Sequence, residues 1–81
     1  MLKHFIIEAS SDGDLDLDVF DSYEAASMFI NDRAIEIYNM WLEEYDETDL
    51  EIWVKPSYAR VSIVLPGQEF DRILEYKPLE V

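Results

Sequence analysis

The sequence predicts an α+β fold: an antiparallel sheet in the order ββ-α-βββ with one long or broken helix packed on one face. Three observations carry this expectation. Residues 14–20 alternate strictly between Asp and aliphatic side chains, which is the period of a strand. Residues 23–45 repeat apolar side chains at helical spacing. The last third holds three strand-like runs separated by Pro56-Ser57-Tyr58 and Pro66-Gly67.

Taken in order, Leu2–Ala9 is rich in Phe and Ile and reads as a strand. Ser10-Ser11-Asp12-Gly13 follows as a turn, with Asp-Gly a strong hairpin cue. Asp14–Phe20 is then expected as a half-buried strand, with Asp14, Asp16 and Asp18 on a wholly acidic outer face and Leu15, Leu17 and Val19 facing inward. Asp21-Ser22-Tyr23-Glu24 resembles a capping box, so Asp21 is expected to cap the helix. Ala26, Phe29, Ile30, Ala34, Ile37, Trp41 and Tyr45 form its buried stripe, widened by Met28, Ile35, Tyr38 and Leu42. Asn31-Asp32 competes for backbone hydrogen bonds and is a candidate break. Leu50–Lys55, Arg60–Leu65 and Phe70–Lys77 are the remaining strands, the last ending near Pro78. Pro66-Gly67 suits the centre of a type II turn. Trp53 is out of phase with Leu50, Ile52 and Val54, which points it away from the helix.

The 81 residues suffice for a single domain, residues 1–81, with a small core. Hydrophobic content of 49% with 14% aromatics exceeds what acidic disordered chains carry, so a folded globule is expected. The chain has no cysteine, hence no disulfide framework and no thiolate metal site. MLKHFIIEASS is too short an apolar stretch for a signal peptide, and no run reaches the length of a membrane span. The chain therefore reads as cytoplasmic.

The net charge of −13 is concentrated in two runs. Residues 11–24 carry six acids and no cation, and residues 43–51 do the same. Residues 52–81 are balanced, with four of each sign. Uniform acidic coating, as in salt adaptation, is not this pattern. Direct binding of nucleic acid is disfavoured by six cations against 19 acids, because phosphate affinity comes largely from Lys and Arg. An anionic membrane surface repels the chain for the same reason. Concentrated acid attracts a basic partner instead.

The candidate binding residues follow from these runs. Asp12, Asp14, Asp16 and Asp18 form the first. Same-face neighbours in a strand sit roughly 6.6 Å apart. Unit charges at that distance repel by about 0.6 kcal/mol in water, so the ladder is held at a cost. A blunted edge strand is the plainer explanation. The second run is Glu43, Glu44, Asp46, Glu47, Asp49 and Glu51. It begins where the predicted helix ends, and acids are unfavourable against the negative end of the dipole. Local rules broken without compensation mark functional sites, although a solvated, salt-screened loop accounts for the same residues. Trp53, just beyond, is the type of residue that anchors interfaces, and an exposed face carrying it also suits a homodimer.

Chemical alternatives are thinner. Asp12-x-Asp14-x-Asp16 opens like a calcium-binding loop, but Leu17 stands where Gly is required and Tyr23 where a bidentate Glu is needed. His4 is the only histidine, so nucleophile–base pairs and transition-metal clusters are hard to assemble. With only Gly13 and Gly67 there is no phosphate-binding loop. No enzyme activity, cofactor or metal is expected.

A small, cysteine-free, strongly acidic α/β chain of this kind is similar to phage-encoded inhibitors of bacterial defence, the anti-CRISPR and anti-restriction proteins that mimic DNA. The stretches that carry the resemblance are Asp12-Gly13-Asp14-Leu15-Asp16-Leu17-Asp18 and Glu43-Glu44-Tyr45-Asp46-Glu47-Thr48-Asp49-Leu50-Glu51. It is one of composition, with no shared motif. It implies an inhibitor that occupies the basic nucleic-acid channel of a defence complex or nuclease in a host cytoplasm. The same electrostatics suit an immunity or antitoxin-like protein capping a cognate nuclease. A calcium-responsive binding module is the third reading.

Overall fold

A computed structural model describes residues 1–81. β1 (Leu2–Ser10) and β2 (Leu15–Phe20) form a hairpin, followed by α1 (Tyr23–Leu42) and a short 3-10 turn at Glu47–Asp49. β3 (Leu50–Lys55), β4 (Tyr58–Leu65) and β5 (Gln68–Glu80) complete the chain. The five strands make one antiparallel sheet in the spatial order β2-β1-β5-β4-β3. The fold is α+β with the element order ββ-α-βββ. No helix is long and apolar enough to cross a membrane.

The core lies between α1 and one face of the sheet. Ala26, Ile30, Ala34, Ile37 and Trp41 recur every three or four residues and are buried, meeting Ile6, Leu74, Ala59, Val61 and Ile63 from the strands. Alanines at 26 and 34 let the helix backbone approach the sheet closely. Trp41 closes one end against the edge of Phe70, with ring centroids 5.9 Å apart. At the other end Tyr23 meets the edge of Tyr76 at 5.1 Å, and the Tyr76 hydroxyl lies 2.7 Å from His4 Nδ1.

Four details of the helix and the last strand differ from expectation. Ser22, not Asp21, is the N-cap: its hydroxyl accepts the Ala25 N–H at 3.1 Å. Its extended backbone sets the oxygen over the first turn, and Asp21 lies one residue too early. The helix runs unbroken through Asn31-Asp32, where the Asn31 amide donates to the Asp32 carboxylate rather than to the backbone. Met28, Ile35 and Leu42 do not widen the buried stripe. Spaced seven apart, they line the outward side of α1 and are exposed. Finally, β5 extends through Pro78. Beyond Glu75 it has only β1 beside it, so the missing N–H of Pro78 faces no strand.

The largest correction concerns β2, whose faces are inverted. Directly opposed residues of an antiparallel pair share a sheet face. Asp16 opposes Glu8 and Asp18 opposes Ile6, and both β1 residues point toward α1. The acids therefore project on the helix side. Leu15, Leu17 and Val19, opposite Ala9, Ile7 and Phe5, project from the other face of the sheet, which no element covers. They are 70%, 64% and 55% exposed. β2 is an edge strand beyond the footprint of the helix, so its helix-side residues stay in water. Only Phe20 reaches the core, packing on Phe29 at 5.0 Å.

The candidate acidic surface

The first run is set by the β1–β2 turn. Gly13 has a φ of 98°, a conformation that suits glycine. The turn is closed by the Ser10 N–H donating to the Asp14 carbonyl at 3.0 Å. The Asp12 carboxylate accepts from the Ser10 hydroxyl and, at 3.4 Å, from the Asp14 N–H. These donors, the hydroxyl foremost, hold its pKa below the ordinary Asp range. Asp14, Asp16 and Asp18 follow as an exposed ladder along the helix side of β2.

Between that ladder and the helix lies a cluster that the sequence does not reveal. The side chain of Glu8 is 6% exposed and accepts three hydrogen bonds. Arg33 of α1 donates from Nε to Oε1 at 2.8 Å and from Nη2 to Oε2 at 3.1 Å. Arg72 of β5 donates to Oε2 at 3.0 Å. The Arg33 hydrogen bonds are the largest influence on Glu8 and, with the charges of both arginines, hold its pKa below the usual Glu range against the opposing effect of burial. The same bonds raise the pKa of Arg33. Arg33 also reaches Glu36 one turn along the helix. A cavity of about 260 Å³ opens above this floor, walled by Asp14 and Asp16 and bordered by Ser10.

Arg33 thus fixes which flank of α1 looks toward β1. Asp32, Glu36 and Glu43 recur at helical spacing on that flank or beside it. The helix therefore adds further exposed acids to those of the β2 ladder. Asp32 and Glu36 lie outside both acidic runs, and only their place on a helical face marks them. The separations of four and seven residues from Asp32 to Glu36 and from Glu36 to Glu43 were the available signal.

The second run caps the far end of the helix. Glu43 is the C-cap, and the Glu44 and Tyr45 N–H groups fold back onto the Trp41 carbonyl at 3.0 and 2.9 Å. No basic residue lies in the last turn. Glu44 and Tyr45 border an apolar hollow over Trp41 and Phe70. Asp46 and Glu47 are exposed, and Asp49 donates its N–H to the Asp46 carbonyl at 2.9 Å. Glu51 begins the opposite sheet face on β3.

The two runs sit at opposite edges of the sheet but at the same end of it. The first turn is tied to β5 by Ser11 N–H donating to the Asp71 carbonyl at 3.0 Å. Asp71 opposes Ser62, which opposes Glu51. Three strand spacings, about 14 Å, therefore separate the turn from the start of β3. Trp53 is apart from both. It lies on the uncovered face, 51% exposed, with Lys55 Nζ 4.9 Å from its ring centroid and Tyr58 at 5.8 Å. No three His, Asp or Glu side chains converge at metal-ligand spacing. Comparison with protein families, curated proteins and solved structures gave no match.

Proposed function

We propose that this protein is an acidic inhibitor that binds the basic nucleic-acid-binding surface of a bacterial defence complex, in the cytoplasm, and excludes DNA or RNA from it. The observation that carries the reading is the distribution of charge. On the uncovered sheet face Lys3, Lys55, Arg60 and Lys77 are matched by Glu51, Glu69, Asp71 and Glu75. The whole net charge of −13 therefore belongs to the helix side, the connecting turns and the chain ends. The two cations left there, Arg33 and Arg72, are both bound to Glu8. A basic channel thus meets carboxylates with no competing free cation.

The outward stripe of Met28, Ile35 and Leu42 supports a protein partner. Exposed apolar side chains framed by acids suit an interface with a desolvated centre and a charged rim.

The test is a pull-down from a bacterial lysate containing defence systems, at low and high salt, followed by competition of the captured protein with DNA and RNA. Capture of a nucleic-acid-binding protein at low salt, lost at high salt and displaced by nucleic acid, supports the proposal. Changing Glu43, Glu44, Asp46 and Glu47 to amides weakens that binding about tenfold, if each rim charge contributes about 0.4 kcal/mol. Binding indifferent to salt and to nucleic acid rejects it.

A further inference from the structure

We propose that the uncovered face of the sheet is the interface of a two-fold homodimer. Of the two acidic runs only Glu51 lies on this face, and the variants below leave it intact, so the two proposals stand or fall separately.

The face is apolar where strands β2 and β1 meet. Leu15, Leu17 and Val19 lie beside Phe5 and Ile7, and Leu79 continues the patch on β5. A shallow apolar hollow of about 400 Å³ runs between Phe5, Ile7, Leu17 and Leu79. The chain's one helix packs on the other side, so Leu15, Leu17, Val19 and Leu79 remain largely in water, while Phe5 and Ile7 are half-buried among them. Contiguous apolar surface of this kind marks an interaction site.

Charge decides the occupant. The face is not merely neutral but bipolar along its strands. Lys3, Lys77 and Lys55 stand toward one end, and Glu51, Asp71 and Glu69 stand toward the other. Glu75 is paired with Lys77 at 3.2 Å, and Arg60 lies between the two ends. In a two-fold interface, residue i of one copy meets j of the other and j meets i. An antiparallel pairing therefore sets the lysine end of each copy against the carboxylate end of its partner, with Ile7 and Leu17 near the middle and Phe5 level with Lys77. A second copy of this chain is thus a charge complement to the face. The same pairing turns both acidic surfaces outward. Association through the helix stripe instead brings Asp32, Glu36 and Glu43 of two copies together, which like-charge repulsion opposes.

The size is adequate. Five strands about 4.8 Å apart and a nine-residue strand rising about 3.4 Å per residue give a face of roughly 20 × 30 Å, comparable to the ~800 Å² per partner of a stable interface.

Sedimentation equilibrium of the purified protein tests this from about 1 to 100 µM, the range in which an interface of ordinary size is populated or not. The expected mass is twice the 9.6 kDa chain mass, persisting in 0.5 M NaCl. Leu17→Lys, at an exposed edge position, is expected to sediment as a monomer with an unchanged far-UV circular dichroism spectrum. A charge swap separates loss of the interface from misfolding. Lys77→Glu alone and Glu69→Lys alone each weaken the dimer, and the double variant recovers it. A wild-type protein that is monomeric throughout the range overturns the proposal. So does a dimer that Leu17→Lys leaves intact, or a double variant weaker than either single one.

Discussion

At the scale of single residues, Glu8 ties β1 to both α1 and β5. It is held by two arginines from separate elements, 25 and 64 residues away in sequence. Removing one partner of a buried charge cluster strands the others. Glu8→Ala is therefore expected to cost about 3–5 kcal/mol, read as a lower urea midpoint at constant slope. Its pH dependence has a definite sign. The folded-state pKa lies below the unfolded value near 4.5. The stabilisation is present above that value and is lost as pH falls through the folded pKa. Urea melts between pH 6 and 3 show an acid limb in the wild type that Glu8→Gln lacks. The cap gives a second residue-scale contrast. Ser22→Ala is expected to lower stability by about 1 kcal/mol, and Asp21→Ala by much less, in the same melts. The cap is ambiguous by one position in the sequence because Asp and Ser stand side by side, and sequence does not state which backbone is extended. The Glu8 cluster was illegible for a different reason: nothing local links three charges so far apart.

At the scale of elements, the alternation in β2 announced a strand but not its orientation. Period two separates two faces and says nothing of which one a helix will cover. The inference that aliphatic side chains face inward holds for a strand beneath the helix, and β2 lies beyond it. Trp53 was legible by the same logic because β3 does lie against α1, so a residue out of phase with Leu50 and Val54 must leave the core. The β2 ladder has an energetic signature. Asp14, Asp16 and Asp18 repel one another with little compensation from neighbouring cations. Changing all three to Asn is expected to raise stability by about 1 kcal/mol in low salt, from two neighbour repulsions of about 0.6 kcal/mol each. In 0.5 M NaCl the gain should vanish, because the Debye length falls below the spacing of the ladder. Thermal melts at the two salt concentrations measure it. An equal gain at both shows that the effect is not electrostatic.

Across the whole molecule, self-repulsion at a net charge of −13 opposes folding, so salt is a stabiliser. Raising NaCl from 10 to 500 mM is expected to increase the melting temperature by about 4–8 °C, the equivalent of about 1 kcal/mol for a chain of this size. Glu43, Glu44, Asp46 and Glu47 replaced by amides should shrink that dependence. An unchanged response places the repulsion elsewhere, in the β2 ladder and the helix flank. The two acidic runs were visible in the sequence, and their meeting at one end of the sheet was not. That juxtaposition depends on the strand order, which no local pattern encodes.

The strand order also has a temporal consequence. β5 is the last strand in sequence and the middle strand in space, lying between β1 and β4. Until it is made, the molecule is two separate hairpins, β1–β2 and β3–β4, each with an unpaired inner edge. Their union awaits residues 68–80, and the pairing of Leu2 with Glu80 closes nearly the full length of the chain. Contacts of such high order make for slow collapse and leave nascent chains with two sticky edges on the ribosome. A stalled chain ending before Gln68 should therefore be protease-sensitive throughout, and protection should arise at once for both hairpins when β5 emerges.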